Sequence, residues 1–194
     1  MKITSYLLFI LCVTVSLCSC LDVKKESSEE TNSIQDFVKV RVKDEYSISV
    51  PKVMQKTTAL NSDASLQYQN IHKEIYTIVI DESKQEFLDT LEELGYKEKY
   101  HIGLYRDIQL KRLASRMNIT HQSDFKPMMI SGLKAESVEL DGKVDNIEDE
   151  LSYFLTFAEG NDKIYMIMSW TLKHRKQEHK NTLLKIVKSF ELID

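Results

Sequence analysis

The chain has 194 residues, of which 42% are hydrophobic, 29% charged and 9% aromatic. This composition excludes collagen-like, low-complexity and wholly disordered chains, and it provides enough apolar material for the core of one globular domain. Lysine and arginine number 26 against 30 aspartates and glutamates, a net charge of −4. A nucleic-acid partner held by phosphate neutralisation is therefore not expected, although these counts leave room for a local basic patch.

Residues 1–19 have the pattern of a signal peptide. Lys2 supplies a positive start, and the apolar segment 6–17 has 12 residues, too few for the ~20 that a membrane-spanning helix needs. The segment runs into Leu17-Cys18-Ser19-Cys20, which resembles the bacterial lipobox. The resemblance implies cleavage by signal peptidase II before Cys20 and a diacylglyceryl group on the Cys20 sulfur, which anchors the protein to a membrane. Two alternatives stay open: a secretory peptide cut by the ordinary signal peptidase, and an uncleaved anchor.

The three cysteines of the chain all lie within its first 20 residues. Cys12 and Cys18 leave with the signal peptide, and Cys20 is used for the lipid. The mature domain is therefore expected to have no disulfide, no thiol nucleophile and no thiolate metal site.

Residues 20–40 are predicted to be a flexible tether that leads to a folded domain at 41–194. Segment 21–35 is polar, charged and short of large apolar side chains, so it cannot repay the entropy of ordering. Its reach is about 20 Å, which keeps the domain close to the bilayer. Leu21 stands where the enterobacterial sorting rule reads an aspartate as retention in the inner membrane. By that resemblance, we expect the outer membrane or the cell surface if the envelope is Gram-negative.

Period-2 patterns predict strands in the first part of the domain. Residues 45–50 alternate apolar and polar side chains and are closed by Pro51, which cannot donate to a strand ladder. Residues 65–69 and 74–80 are two further predicted strands, and the polar connection 70–73 indicates a hairpin.

The period then changes to that of helices. Ser83 and Glu86 form a capping box, Gly95 suits the position after a helix, and apolar residues between them recur three and four apart. A second helical stretch is predicted over 100–117, and a third over 175–190 at the end of the chain.

Strands return between the second and third helices. Residues 133–140 are predicted to end in a turn at Asp141 and Gly142. Strands 151–158 and 163–172 flank a hairpin turn at 159–162, and the second of them is apolar enough on both faces to be covered on both sides. Antiparallel hairpins with helices predict an α+β fold: an antiparallel sheet flanked by helices, or α-β-α sandwich.

This order of elements is similar to the PsbP/Mog1-like superfamily. The resemblance covers roughly residues 44–192 and rests on the segments 46–51 (YSISVP), 65–68 (SLQY), 132–135 (GLKA), 153–157, 164–170 and 187–190 (VKSF). The superfamily includes photosystem subunits, a Ran-binding nuclear factor and many bacterial lipoproteins. The resemblance therefore implies a non-catalytic binding or accessory module and transfers no functional residue.

Candidate catalytic and metal-binding residues are few. His174, Glu178 and His179 have a spacing that could share a metal, but the third ligand is missing and neighbouring cations repel one. His72, His101 and His121 stand in polar stretches, and no serine lies in a Gly-x-Ser-x-Gly elbow. The acidic cluster Asp145, Glu148, Asp149 and Glu150 is interpreted as a solvated loop. We therefore predict no catalytic residue, no metal ligand and no cofactor.

Two sets of residues have either a binding role or a purely structural one. An aromatic and sulfur-rich set either packs the core or lines an apolar groove for a peptide or small ligand; it comprises Tyr153, Phe154, Phe157, Tyr165, Met166, Met168 and Trp170. A basic set is either an ordinary helix surface or one face for anionic head groups; it comprises Lys111, Arg112, Arg116, Lys173, Arg175, Lys176, Lys180, Lys185 and Lys188.

The sequence thus predicts a lipid-anchored cell-envelope protein whose domain binds an envelope protein or a small apolar ligand without catalysis. The alternative is an envelope hydrolase with dispersed catalytic residues. A pocket that brings a histidine within hydrogen-bond reach of a carboxylate and a hydroxyl would favour the hydrolase.

Overall fold

The computed structural model describes residues 36–97 and 100–193, so the predicted signal peptide and Cys20 lie outside the described residues. In chain order the strands are β1 (Phe37–Val42), β2 (Tyr46–Pro51), β3 (Gln55–Lys56), β4 (Leu66–Asn70), β5 (Ile75–Ser83), β6 (Met117–Gln122), β7 (Lys126–Ile130), β8 (Leu133–Val144), β9 (Leu151–Glu159), β10 (Lys163–Leu172) and β11 (Glu191–Leu192). The helices are α1 (Lys84–Glu93), α2 (Ile102–Ala114) and α3 (Lys176–Lys188), the last preceded by a 3₁₀ turn at Lys173–Arg175. Within these ranges, no helix has both the length and the apolar composition that crossing a membrane requires.

One large antiparallel sheet organises the domain. Its strand order is β3-β4-β5-β10-β9-β8-β6, and β7 pairs with β8 beside β6. A smaller antiparallel sheet has the order β1-β2-β11. The predicted α+β class, with an antiparallel sheet flanked by helices, is confirmed.

The large sheet buries side chains on both of its faces. On one face, which we call the α2 face, Leu104 of α2 and Phe87 of α1 pack with Met166 and Met168 of β10. On the other, the α3 face, Leu183 of α3 packs with residues of the small sheet and with the opposite side of β10. Alternate residues of β10 therefore enter different clusters, as predicted for a strand that is covered on both sides.

The first helix forms for the reasons that the sequence indicates. The Ser83 side chain accepts a hydrogen bond from the Glu86 backbone N–H, which satisfies one of the free donors at the start of α1. Gly95 has a φ of 76°, a conformation in which a residue without a Cβ avoids strain. Phe87 and Leu91 are the buried residues of α1.

The predicted turn at Asp141 and Gly142 is wrong, because β8 continues through both residues to Val144. Asp141 is buried and accepts hydrogen bonds from Ser152 and Lys176. Gly142 lies against β6: a Cβ there would overlap Met117 and come within 2.9 Å of a backbone oxygen. An aspartate followed by a glycine is typical of a turn, but here both residues lie within a strand. Gly142 allows the close approach of β6.

Five of the described strands have no counterpart among the predicted elements. Residues 37–40, assigned to the tether, belong to β1, in which Phe37 and Val40 pack against the core. The second helical stretch is shorter than predicted, since Met117 begins β6. The strands β3, β7 and β11 were also not predicted. Mostly exposed side chains on β6 and β7 give these strands little of the alternation that marks a half-buried strand.

Candidate ligand-binding site

A cleft opens on the α2 face, beside the last turn of α2. It consists of two cavities of about 330 and about 320 Å³ that share four lining residues and therefore adjoin. The shared residues are Asn61, Leu113, Arg116 and Met168. We call the two cavities together the arginine cleft, because Arg112 and Arg116 stand at its α2 side.

The second cavity is apolar and has an aromatic wall. Trp170 of β10 lies directly opposite Tyr76 of β5 and Tyr153 of β9 in the sheet register. The Trp170 ring stacks on both, with centroids 5.2 Å from Tyr76 and 6.0 Å from Tyr153. Burial raises the pKa of Tyr153 to about 12, so its phenol is neutral. Among the described residues that line this cavity, Arg116 alone is charged.

The first cavity also contains carboxylates, but two of these are already bound by the protein. Glu82 accepts hydrogen bonds from the Tyr105 hydroxyl and the Gln109 amide, each at 2.9 Å. Asp81 accepts one from the Lys163 ammonium at 2.7 Å. Burial alone would raise the pKa of Asp81, but the Lys163 hydrogen bond and charge outweigh it and lower the pKa. These contacts occupy Asp81 and Glu82. The third carboxylate, Asp63, is exposed and accepts a hydrogen bond from the Ser62 hydroxyl at 3.1 Å, and none of the three forms an ion pair with Arg112 or Arg116.

The side chains of Arg112 and Arg116 make no hydrogen bond and no ion pair within the described part of the chain, and both residues are exposed. Arg106 lies on the same helix, before Arg112, and its guanidinium is not free, because it pairs with Asp107 and Glu136. A free guanidinium presents donors in a planar fork that matches a carboxylate, phosphate or sulfonate. The cleft therefore combines an apolar cavity with two unpaired cations.

The lining residues suit binding better than nucleophilic catalysis. Across 36–97 and 100–193, no serine, threonine, cysteine or histidine lines either cavity of the arginine cleft. The described lining of the two cavities therefore contains no serine, threonine or cysteine nucleophile with a histidine base.

The aromatic set predicted from the sequence is divided between cleft and core. Four of its members, Tyr153, Met166, Met168 and Trp170, line the arginine cleft. Phe154 lines a separate groove on the α3 face. Phe157 and Tyr165 are buried in the two core clusters.

Of the two interpretations of the basic set, the single face for anionic head groups is wrong, because α2 and α3 pack on opposite faces of the sheet. The basic residues at the start of α3 are also paired. Lys176 and Lys180 bind Glu139, and Arg175 binds Glu74 and Glu178. These ion pairs hold α3 to the sheet, and they leave little free charge at its start.

The histidine and carboxylate candidates meet only in pairs among the described residues, and His179 Nε2 lies 3.5 Å from Glu178 Oε1. Glu178 is bound by Arg175, His174 is exposed and lies 3.8 Å from Asp149, and His179 is buried. His101 has a structural role, since its Nδ1 accepts a hydrogen bond from the Leu104 backbone N–H at the start of α2.

The remaining candidates are also dispersed. His72 lies in the β4–β5 turn and His121 on β6. In the acidic loop, Glu150 pairs with Lys173 at 3.0 Å. No group of three metal-ligating side chains is found in the described ranges.

Sequence reasoning named the two arginines but not the cleft that they border. One signal was available: neither Arg112 nor Arg116 has an acidic residue three or four positions away on the helical stretch, whereas Lys111 has Asp107. The contribution of the loop at 60–63, which supplies Leu60, Asn61 and Asp63, had no such signal.

The fold is similar to that of a solved PsbP protein. The cyanobacterial PsbP (CyanoP) of Synechocystis has 15% sequence identity and a TM-score of 0.51, over 80% of this chain and 92% of that one. PA94 of Pseudomonas aeruginosa, of unknown function, has 11% identity and a TM-score of 0.48, over 79% and 94% of the two chains. LpqN, involved in cell envelope biogenesis of Mycobacterium tuberculosis, has 10% identity and a TM-score of 0.49, over 77% and 83%. No protein-family model and no curated protein matches the chain. The match to CyanoP confirms the predicted PsbP-like fold.

Proposed function

We propose that this chain is a lipid-anchored protein of the cell envelope whose domain binds, without catalysis, a small molecule with an apolar body and an anionic group. The arginine cleft is the binding site. One observation carries the proposal: Arg116, whose side chain has no protein counter-ion in the described chain, lines the apolar cavity, and the equally unpaired Arg112 lines the cavity that adjoins it.

The chemistry of the cleft supports this class of ligand. The apolar body packs against Tyr153, Met168 and Trp170, where burying each methylene contributes about 0.8 kcal/mol. The anionic group accepts hydrogen bonds from the two guanidinium groups, each bond to a charged group contributing about 1.5–3 kcal/mol before solvent screening. Each cavity alone is within the range of about 300–1,000 Å³ that is typical of small-molecule sites.

The hydrolase alternative has less support. The buried His179 lies 3.5 Å from Glu178, but neither residue lines the arginine cleft or the groove on the α3 face. The PsbP-like fold agrees with an accessory role, which is what the resemblance seen in the sequence implies.

A fluorescent anionic probe tests the cleft. Anilinonaphthalene sulfonate has an aromatic body and one sulfonate, so we expect saturable binding with enhanced fluorescence. Replacing both arginines, Arg112→Gln with Arg116→Gln, should weaken this binding about tenfold or more. Lys111→Gln removes a charge from the same helix outside the cleft and should leave the affinity unchanged.

The neutral analogue phenylnaphthylamine separates the two parts of the site. It lacks the sulfonate, so its binding should not respond to the arginine substitutions. Equal affinity of the double variant and the wild type for the sulfonate probe would remove the basis of the proposal.

Mass spectrometry of the protein from membranes tests the anchor. We expect an amino-terminal peptide that begins at Cys20 and carries a diacylglyceryl thioether, and we expect Cys20→Ser to abolish it. An intact amino terminus without acyl groups would contradict the lipid anchor and leave the binding site untouched.

A further inference from the structure

A second groove lies on the α3 face, on the opposite side of the large sheet from the arginine cleft. It has a volume of about 380 Å³ and runs between α3 and the strands β7, β8 and β9. Met128, Phe154, Leu184 and Val187 supply much of its apolar lining. We call it the α3 groove.

Lysines stand at both ends of this groove along α3. Lys180 and Lys188 are eight residues apart on the helix, a separation of about 12 Å. Lys126 on the edge strand β7 forms part of the opposite wall. The groove thus has an apolar centre between cationic ends.

Much of this positive charge has no protein partner. Lys180 pairs with Glu139 at 2.7 Å, and Glu139 is shared with Lys176. Lys126 and Lys188 are exposed, and their side chains make no ion pair or hydrogen bond within the described residues. Three lysines and a single glutamate line the groove, so an occupant with carboxylates is electrostatically complementary to it.

We propose that the α3 groove is a docking site for an extended segment of a partner protein that has acidic residues on either side of apolar ones. An extended chain rises about 3.3 Å per residue, so four residues span the distance between the lysines. Their apolar side chains contact Leu184 and Met128, while the flanking carboxylates reach Lys188 at one end and Lys180 and Lys126 at the other. An anionic lipid has its charge at one end only and would leave the other end unpaired.

A synthetic hexapeptide with glutamate at both ends and leucine, phenylalanine, valine and leucine between them tests the proposal. We expect the full-length chain in neutral detergent to bind it, as measured by fluorescence anisotropy. Lys126→Glu with Lys188→Glu should weaken binding about tenfold or more. Lys185→Glu, which changes a lysine of the same helix outside the groove, should bind as the wild type.

Three further measurements identify the occupant. A hexapeptide with lysine in place of glutamate should not bind the wild type, and Arg112→Gln with Arg116→Gln should bind the acidic peptide normally. If the acidic peptide does not bind, or binds the groove variant as well as the wild type, the docking site is overturned. Tighter binding of short-chain phosphatidylglycerol than of the peptide, lost in the groove variant, would overturn it in favour of a lipid surface.

Discussion

His179 is a buried titratable residue that neither groove uses. Only 2% of its surface is exposed, and its Nε2 has no hydrogen-bond partner among the described residues. Burial lowers the pKa of His179 below its ordinary value of 6.5, and the Arg175 charge adds to this, while the nearby Glu178 acts in the opposite direction. The folded protein therefore disfavours the charged form of the imidazole.

A neutral buried histidine makes stability depend on pH. Below about pH 6.5 the unfolded chain binds more protons at this position than the folded chain, because the folded pKa is lower, so stability falls as the pH drops towards the folded pKa. Above pH 6.5 both states are neutral and the effect is absent. We expect His179→Gln to reduce the loss of unfolding free energy between about pH 8 and about pH 5.5, as measured by urea denaturation. His174→Gln, at an exposed histidine, is the control, and equal pH slopes in all three proteins would contradict this account.

Among single helices and strands, the sequence predicts those features that depend on neighbouring residues of the same element. The cap at Ser83 and the glycine after α1 are local signals, and the alternation of β10 records burial on both faces. The strand β6 has no such alternation along its length, because Met117 is its one fully buried residue and most of the others are exposed. Its pairing with β8 is a tertiary contact that the local sequence does not indicate. Gly142 shows the same limit, since a glycine required by a neighbouring strand cannot be distinguished locally from a glycine in a turn.

The close approach at Gly142 has a measurable consequence. In Gly142→Ala the added Cβ would overlap Met117 and lie 2.9 Å from the Asn118 backbone oxygen, which cannot move without breaking strand pairing. We expect a loss of about 1–3 kcal/mol in unfolding free energy by urea denaturation. Lys143→Ala, at the exposed next residue of β8, should change it by no more than about 0.5 kcal/mol. A stable Gly142→Ala protein would show that β6 and β8 are less closely packed.

The candidate site was harder to predict than the fold, because its parts come from distant segments. The residues of β9 and β10 were identified by composition, and the arginines by charge, but only the packing of α2 on the α2 face brings Arg116 next to Tyr153 and Trp170. The same packing separates those arginines from the lysines of α3. The local sequence of a helix does not predict which face of the sheet that helix covers.

For the whole molecule, the two core clusters share the same central strands. β5, β9 and β10 contribute side chains to both the α2 face and the α3 face. The small sheet on the α3 face is closed by β11, which pairs Glu191 and Leu192 with β2 near the start of the described chain. Loss of packing on one face should therefore weaken the other through the shared strands.

Deletion of residues 191–194 tests this coupling. It removes the pairing of β11 with β2, the bond from the Ile193 backbone N–H to the Glu45 carbonyl, and the bond from Ser47 to Glu191. Each hydrogen bond contributes about 0.5–1.5 kcal/mol, so we expect a clear decrease in the urea midpoint measured by far-UV circular dichroism. Trp170, the single tryptophan of the chain, reports on the α2 face, and its fluorescence midpoint should decrease by the same amount. An unchanged fluorescence midpoint would show instead that the two layers unfold independently.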